Sequence, residues 1–352
     1  MNIHKSKTML HPVLLALLAA ALFGVATPAS KTLLGSLSPF QLAGLLYLGA
    51  VLGSLAVIIR RNSWRSPWMM SALNRWHLLG AVFFGGIAGP VLLLLGLRIA
   101  SAASVSLWLN LELVATAVLG RLFFNDHLGK YGWYGVIGIV AASIILSFGQ
   151  SASGIWAGLL VLGACICWGL DNHFTALIDG ITPSQSTLWK GAIAGTVNLL
   201  IGIYFYPYEA TAIITLGALL IGVLSYGASI TLYIASAQNM GATRAQMFFA
   251  SAPFFGAALS VIVLGEKISG LQIISAALFV ISLAALIKDR HLHKHSHEAM
   301  SHEHSHSHDD GHHDHNHNDL DLSDRHSHWH EHEPQEHAHP HWPDLHHRHE
   351  HK

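Results

Sequence analysis

The stretch Ile166-Cys167-Trp168-Gly169-Leu170-Asp171-Asn172-His173-Phe174-Thr175 interrupts a near-continuous apolar run from Gly154 to Ile178. As a helix that run is about 37 Å long, enough to cross a bilayer core of about 30 Å. An ionisable group at that depth costs roughly 2.5–3.5 kcal/mol on insertion scales, so it persists where it faces a cavity or a partner. Asp171, Asn172 and His173 therefore mark the point around which the rest of the chain is expected to be built.

Composition agrees with a membrane setting. Of 352 residues 52% are hydrophobic and only 11% are charged, against about 25% charged in a soluble domain. An all-α integral membrane protein in a lipid bilayer is expected, with no nucleic-acid partner. The net charge of −1 hides a division: residues 1–287 carry thirteen Lys/Arg and six Asp/Glu, while 288–352 carry six and fourteen and hold 23 of the 28 histidines. The two cysteines, Cys165 and Cys167, are two residues apart. On a helix they point about 200° apart and cannot bridge each other, so disulfides do not organise this fold.

Outward from the central run, apolar segments fall at about 10–29, 39–59, 76–98, 101–123, 131–149, 154–178, 186–206, 211–234, 243–264 and 270–287. Each is long enough, or nearly so, for one crossing. The first, behind Lys5 and Lys7, has the outline of a signal peptide, but it takes part in a repeat and is read as the first helix. Lys5, Lys7, Arg60, Arg61, Arg65, Arg75, Arg121, Lys130, Lys190, Arg244, Lys288 and Arg290 are assigned to one side, and Lys31, Arg98 and Lys267 to the other. By the positive-inside rule both termini are expected to be cytoplasmic.

The repeat has a period of about five spans. Phe23-Gly24 is echoed by Trp168-Gly169, Ser38-Pro39 by Thr182-Pro183, Ile99-Ala100-Ser101-Ala102 by Ile234–Ala237, and Asn125–Leu128 by Gly265–Ile268. Five is odd, so the second copy enters the membrane from the opposite side, as in inverted-repeat transporters. The expected divisions are 1–149 (helices one to five), 150–287 (helices six to ten) and a tail at 288–352.

Phe23-Gly24, Pro28, Lys31, Ser38-Pro39 and the Leu42–Gly53 stretch carry a family resemblance. It continues through Asn110-Leu111-Glu112, Asp171-Asn172, Gly241–Arg244, Ser251-Ala252-Pro253 and Gly265-Glu266. Residues 10–287 resemble the drug/metabolite transporter superfamily in its two-copy EamA form. The resemblance implies ten helices, alternating access and export of small solutes. It leaves the substrate open and does not cover the tail. Leu113 stands where the second half has Pro253, so the halves are not equivalent.

Candidate pathway residues are Asp171, Asn172, His173, Glu112, Asn110 and Arg244. Glu112 lies near the middle of the fourth apolar segment and could bind a cation or shuttle a proton; a structural carboxylate is the alternative. Asp171 and His173 converge only if their helix is distorted, and Gly169 would favour that. Arg244 could pair with a carboxylate or simply snorkel to the interface. Tyr47, Trp108, Tyr226 and Tyr233 could line a cavity or pack.

The tail alternates histidine with other residues at His291, His293, His295 and His297, and at His302, His304, His306 and His308, then adds His312, His313, His315 and His317 among carboxylates. Imidazole near neutral pH binds Ni²⁺, Co²⁺, Cu²⁺ and Zn²⁺. With few apolar residues to bury, the tail is expected to be disordered. A pH-responsive tail, or one without a role, is the alternative.

Body and tail together suggest a bacterial cytoplasmic-membrane exporter of Ni²⁺ or Co²⁺, with Zn²⁺ a further candidate and protons the coupling ion. No cofactor is expected to be required. The alternative is an exporter of a small metabolite or amino acid whose tail only buffers or senses metal. A metal sensor or store without transport is a third class. No nucleotide-binding loop of the G-x-x-x-x-G-K-[ST] type occurs, and no enzyme is expected.

Overall fold

The computed structural model describes residues 3–62, 64, 66–124, 129–148, 152–288, 293–297, 300–306, 326–332 and 335–339. Among them, nine helical segments are long and apolar enough to cross a membrane. We label these α1 (His11–Leu33), α2 (Pro39–Arg61), α3 (Ala72–Ile99), α4 (Ala102–Phe123) and α5 (Lys130–Phe148), then α6 (Ala152–Leu177), α7 (Pro183–Phe205), α8 (Ala212–Met240) and α9 (Ala242–Leu264). A further helix, α10 (Gly270–Lys288), carries a shorter apolar stretch, Gly270–Leu286.

Local chemistry repeats between the halves. At the start of α2 the Ser38 hydroxyl accepts from the Gln41 N–H at 3.2 Å, and Gln41 Oε1 accepts from the Ser38 N–H at 3.0 Å. Thr182 and Gln185 make the same reciprocal cap at the start of α7. Each cap satisfies two helix N–H groups, and the proline that follows needs no donor. The Ser-Pro and Thr-Pro echoes are thus two copies of one helix-start device. Helices α3 and α8 each contain a π-helical segment, Ala81–Ala88 and Gly222–Ala228. Helices α4 and α9 are each broken in two, as Ala102–Trp108 and Leu111–Phe123, and as Ala242–Phe249 and Ala252–Leu264.

Packing repeats too. Helix α2 packs on α7 and α5 on α10; α6 packs on α3 and α4 just as α1 packs on α8 and α9. Helices α2 and α7 run antiparallel: Gln41 Nε2, at the start of α2, donates to the Gly202 and Tyr206 carbonyls at the end of α7. Phe23-Gly24 and Trp168-Gly169 also find equivalent places. A Cβ on Gly24 would lie 2.5 Å from Phe255 in α9, and one on Gly169 would lie 3.0 Å from the Ala115 backbone in α4. One echo was out of register. Ile99 ends α3, whereas Ile234–Ala237 lies inside Ser229–Met240, so that verbatim match is coincidental. The Asn125–Leu128 echo lies outside the described residues.

Polarity is inverted relative to a soluble protein. Ile213 is 83% exposed and Ile262 77%, while Gln185, Lys190, Asn198 and His173 are buried. Lipid as the outer solvent accounts for both.

The tail departs from the expected absence of regular structure. Its described residues form a unit separate from the helices, with strands β1 (His293–His297), β2 (Met300–His306), β3 (His326–His332) and β4 (Gln335–His339). β1 pairs antiparallel with β4, placing His295 opposite His337; β2 pairs with β3, placing His304 opposite His328. Scarcity of apolar residues argues against a buried core, but the every-second-residue alternation matches the period of a pleated strand. His291, His308, His312, His313, His315 and His317 lie outside the described residues.

Candidate functional site

Helix α6 is continuous through Gly169 and the polar stretch. Without a distortion, Asp171 and His173 reach different neighbours. His173 Nε2 donates to the Thr116 carbonyl at 2.8 Å, and its ring stacks on Phe124 at a centroid distance of 4.4 Å. Asp171 turns towards α7, where Lys190 Nζ meets its Oδ2 at 2.7 Å. The side chains of Lys190 and Asp171 are only 1% and 9% exposed.

Lys190 corrects the loop-charge reading. It is not a loop cation on one membrane surface but a buried member of α7, two turns in from the Thr182 cap. Its position inside the apolar segment 186–206, with an acid available on the preceding helix, was the signal that could have found it.

Asn172 connects Asp171's helix to the two broken helices. Its amide donates to Glu112 Oε1 at 2.9 Å, Thr116 Oγ1 at 3.1 Å and Gln246 Oε1 at 3.4 Å. Glu112 and Thr116 belong to α4 and Gln246 to α9. Glu112 sits in the first turn after the α4 break, where the positive end of the half-helix favours a carboxylate. Gln246 and the inward role of Lys190 were missed from sequence.

The π-helical segment of α3 closes the site from another side. Its wider turn frees carbonyls for outside donors. Tyr47 Oη and Trp168 Nε1 both donate to the Gly85 carbonyl, the latter at 3.1 Å, and Asn198 Nδ2 donates to the Gly86 carbonyl at 3.0 Å. A Cβ on Gly85 would fall on the Asp171 carboxylate. Gly85 is required there because only a hydrogen fits.

Between these groups lies a cavity of about 40 Å³, lined by Glu112, Asp171, Asn172, Thr175 and Lys190 and walled by Phe23, Tyr47, Trp168, Tyr226, Tyr233 and Phe249. A water occupies about 10–15 Å³ on this measure, so a few waters or one small ion fit and an organic solute does not without opening. Two carboxylates, one ammonium and an aromatic wall thus surround one cavity in the helical bundle.

A family model for EamA-like transporters matches residues 10–148 and, a second time, residues 155–288. The chain belongs to the EamA-like transporter family. It is 25% identical over 285 residues to an uncharacterized transporter of Methanothermobacter thermautotrophicus, over 73% of this chain and 80% of that one. It is also 31% identical over 106 residues to the spermidine export protein MdtI of Photorhabdus laumondii, over 30% of this chain and 90% of the relative. A solved crystal structure superposes with a TM-score of 0.62 at 17% identity, over 78% of this chain and 96% of the other; that likeness is one of fold. The protein is thus a multi-pass membrane transporter.

Within this EamA bundle the remaining sequence candidates separate. Tyr47, Tyr226 and Tyr233 face the cavity, whereas Trp108 packs by Gly158. Asn110 sits at the α4 break, where its side-chain amide donates to the Leu107 carbonyl at 3.0 Å. Arg244 is buried in the first turn of α9, near its Gly241 end, and is not among the residues lining the cavity. Among the described residues, no three His, Cys, Asp or Glu side chains converge as a metal-ion cage.

Proposed function

We propose that this protein is a secondary exporter of a divalent transition-metal cation, Ni²⁺ or Co²⁺ before Zn²⁺, across the bacterial cytoplasmic membrane. Ten helices cross the bilayer as two inverted five-helix repeats, α10 included, and both termini are cytoplasmic. Alternating access carries the cation past Asp171 and Glu112, with protons moving the other way. The tail's histidines gather cytosolic metal and raise its supply to the transporter.

The observation that supports a cation as cargo is the pair of buried carboxylates, Glu112 and Asp171, lining one central cavity. Buried carboxylates at membrane depth need a cation or proton to balance them. The choice of a transition metal rests on the tail, whose alternating imidazoles suit borderline divalent ions. His173 has no part in the route, because it faces Thr116 and Phe124.

A second reading is favoured by the aromatic wall. Tyr47, Tyr226, Tyr233 and Phe249 around carboxylates form a setting that also suits an organic ammonium through cation–π contact. A relative of part of the chain is named as a spermidine exporter. In this reading the tail buffers or senses metal.

Mass-spectrometric measurement of cellular nickel, cobalt and spermidine separates the two, in cells challenged with each. Lower metal on expression of the full chain, abolished by Asp171→Ala, supports the metal reading. Lower spermidine with unchanged metal supports the amine reading. Unchanged levels of all three remove both.

A further inference from the structure

Among the described residues Lys190 is the one cation lining the central cavity, and it is paired with an internal partner. Its ammonium holds Asp171 Oδ2 at 2.7 Å, while the buried Oδ1 of this cavity-lining residue has no hydrogen-bond partner among the described residues. The Tyr226 hydroxyl, also buried beside the cavity, has none either. One carboxylate oxygen is therefore held by the ammonium, and the other is buried beside the cavity without a hydrogen bond among the described residues. Gly86 and Gly85 in the facing α3 leave room for this: a Cβ on Gly86 would lie 3.2 Å from Lys190 Cγ, and one on Gly85 would displace the carboxylate.

We propose that Lys190 is a tethered counter-cation, standing in the empty carrier where the cargo cation stands in the loaded one. The inference rests on the cation-export reading above and deepens it. An antiporter that has released its cargo returns without it, carrying its coupling protons, through a closed state in which a carboxylate left without a counter-charge is strongly unfavourable. Lys190 on its flexible four-carbon stem pairs with Asp171 during that return. Arriving cargo engages Oδ1 and competes with the ammonium for the carboxylate. Lys190 thereby makes the return step feasible and sets a threshold that weakly bound monovalent ions do not reach.

The consequence is a split between two transport modes. Net export needs the cargo-free return; exchange of internal for external cargo does not. In proteoliposomes of the full-length protein, with Ni²⁺ and spermidine as separate probes, Lys190→Gln is expected to lower net export at least ~10-fold, about 1.4 kcal/mol on the return barrier. Exchange of the same probe should fall by a smaller factor, so that the ratio of net export to exchange drops at least ~5-fold. Lys190→Arg, which keeps the charge, should recover part of net export. Equal loss of both modes in a Lys190→Gln protein with wild-type melting behaviour would overturn the proposal, as would unimpaired net export.

Two measurements stand apart from those modes. In the wild-type protein, labelling of Lys190 by an amine-reactive reagent should rise when Ni²⁺ is added, and unchanged labelling in a protein that carries Ni²⁺ contradicts displacement. If the wild type carries neither probe, the export reading fails on its own. The counter-cation is then tested by melting: Lys190→Gln should lower the midpoint and Asp171→Asn in the same chain should restore it. Equal midpoints in all three proteins overturn it.

Discussion

Phe23 of α1 and Trp168 of α6, at equivalent positions in the two repeats, meet edge to face with ring centroids 6.1 Å apart. Residues that meet their own repeat mates lie on the pseudo-symmetry axis, and both of these rings wall the central cavity. The central cavity is therefore lined where the two halves of the bundle face each other.

Gly85→Ala should remove transport. The added methyl collides with the Asp171 carboxylate, and crowding of this kind costs about 1–3 kcal/mol. A Cβ on Gly217 meets nothing within 4 Å, so Gly217→Ala serves as the matched control. Uptake into everted vesicles and detergent melting curves for both variants check the contrast. Equal activity would remove Gly85 from the site.

Glu112→Gln preserves shape and can still accept from Asn172, so the protein should fold with nearly wild-type melting while cation transport falls about 10-fold or more. Asn172→Ala should behave differently. It leaves buried acceptors on Glu112, Thr116 and Gln246 without their shared donor, at about 1–3 kcal/mol. Melting and transport measured side by side distinguish a charge role from a scaffold role.

Glu266 ties the second repeat to the first. Its two carboxylate oxygens accept from the Ala102 and Ala103 N–H groups, each at 2.8 Å, at the start of α4. Lys31 caps the neighbouring end of α3, donating to the Leu97 and Ala100 carbonyls, each at 2.7 Å. Glu266→Ala should destabilise the protein by about 1–2 kcal/mol, as for loss of a helix N-cap. It should speed hydrogen exchange at residues 102–105. Unchanged exchange there would show that the contact does not hold that corner closed.

Deleting residues 291–352 should raise the nickel concentration needed for half-maximal export and leave the maximal rate within about twofold. A collector changes local supply, not the translocation step. A fall in maximal rate with unchanged half-saturation would assign the tail to the transport cycle itself.

Much of this architecture was legible in the chain because lipid imposes length and polarity on every crossing. The run around Asp171 and Asn172, the Ser-Pro and Thr-Pro starts and Glu112 all stood out as breaks in apolar sequence. Lys190 did not, because a cation seven residues after Pro183 was counted with loop charge that sets orientation. Gly85 has no side chain to mark it, and only the fold shows which group takes the space. A distortion near Gly169 is the condition under which Asp171 and His173 would converge, but the breaks fall at Asn110 and Ser251, in α4 and α9, while α6 is continuous. The verbatim Ile-Ala-Ser-Ala match misled because small apolar tetrapeptides recur cheaply in membrane sequence.

The most direct test is accumulation of labelled nickel in everted membrane vesicles, comparing the wild-type chain with Asp171→Asn under an imposed proton gradient. Accumulation by the wild type, collapsing with the gradient and falling to background in Asp171→Asn, is the expected result. Wild-type vesicles that gain no nickel, or Asp171→Asn vesicles that gain as much as wild type, would contradict cation export through this site.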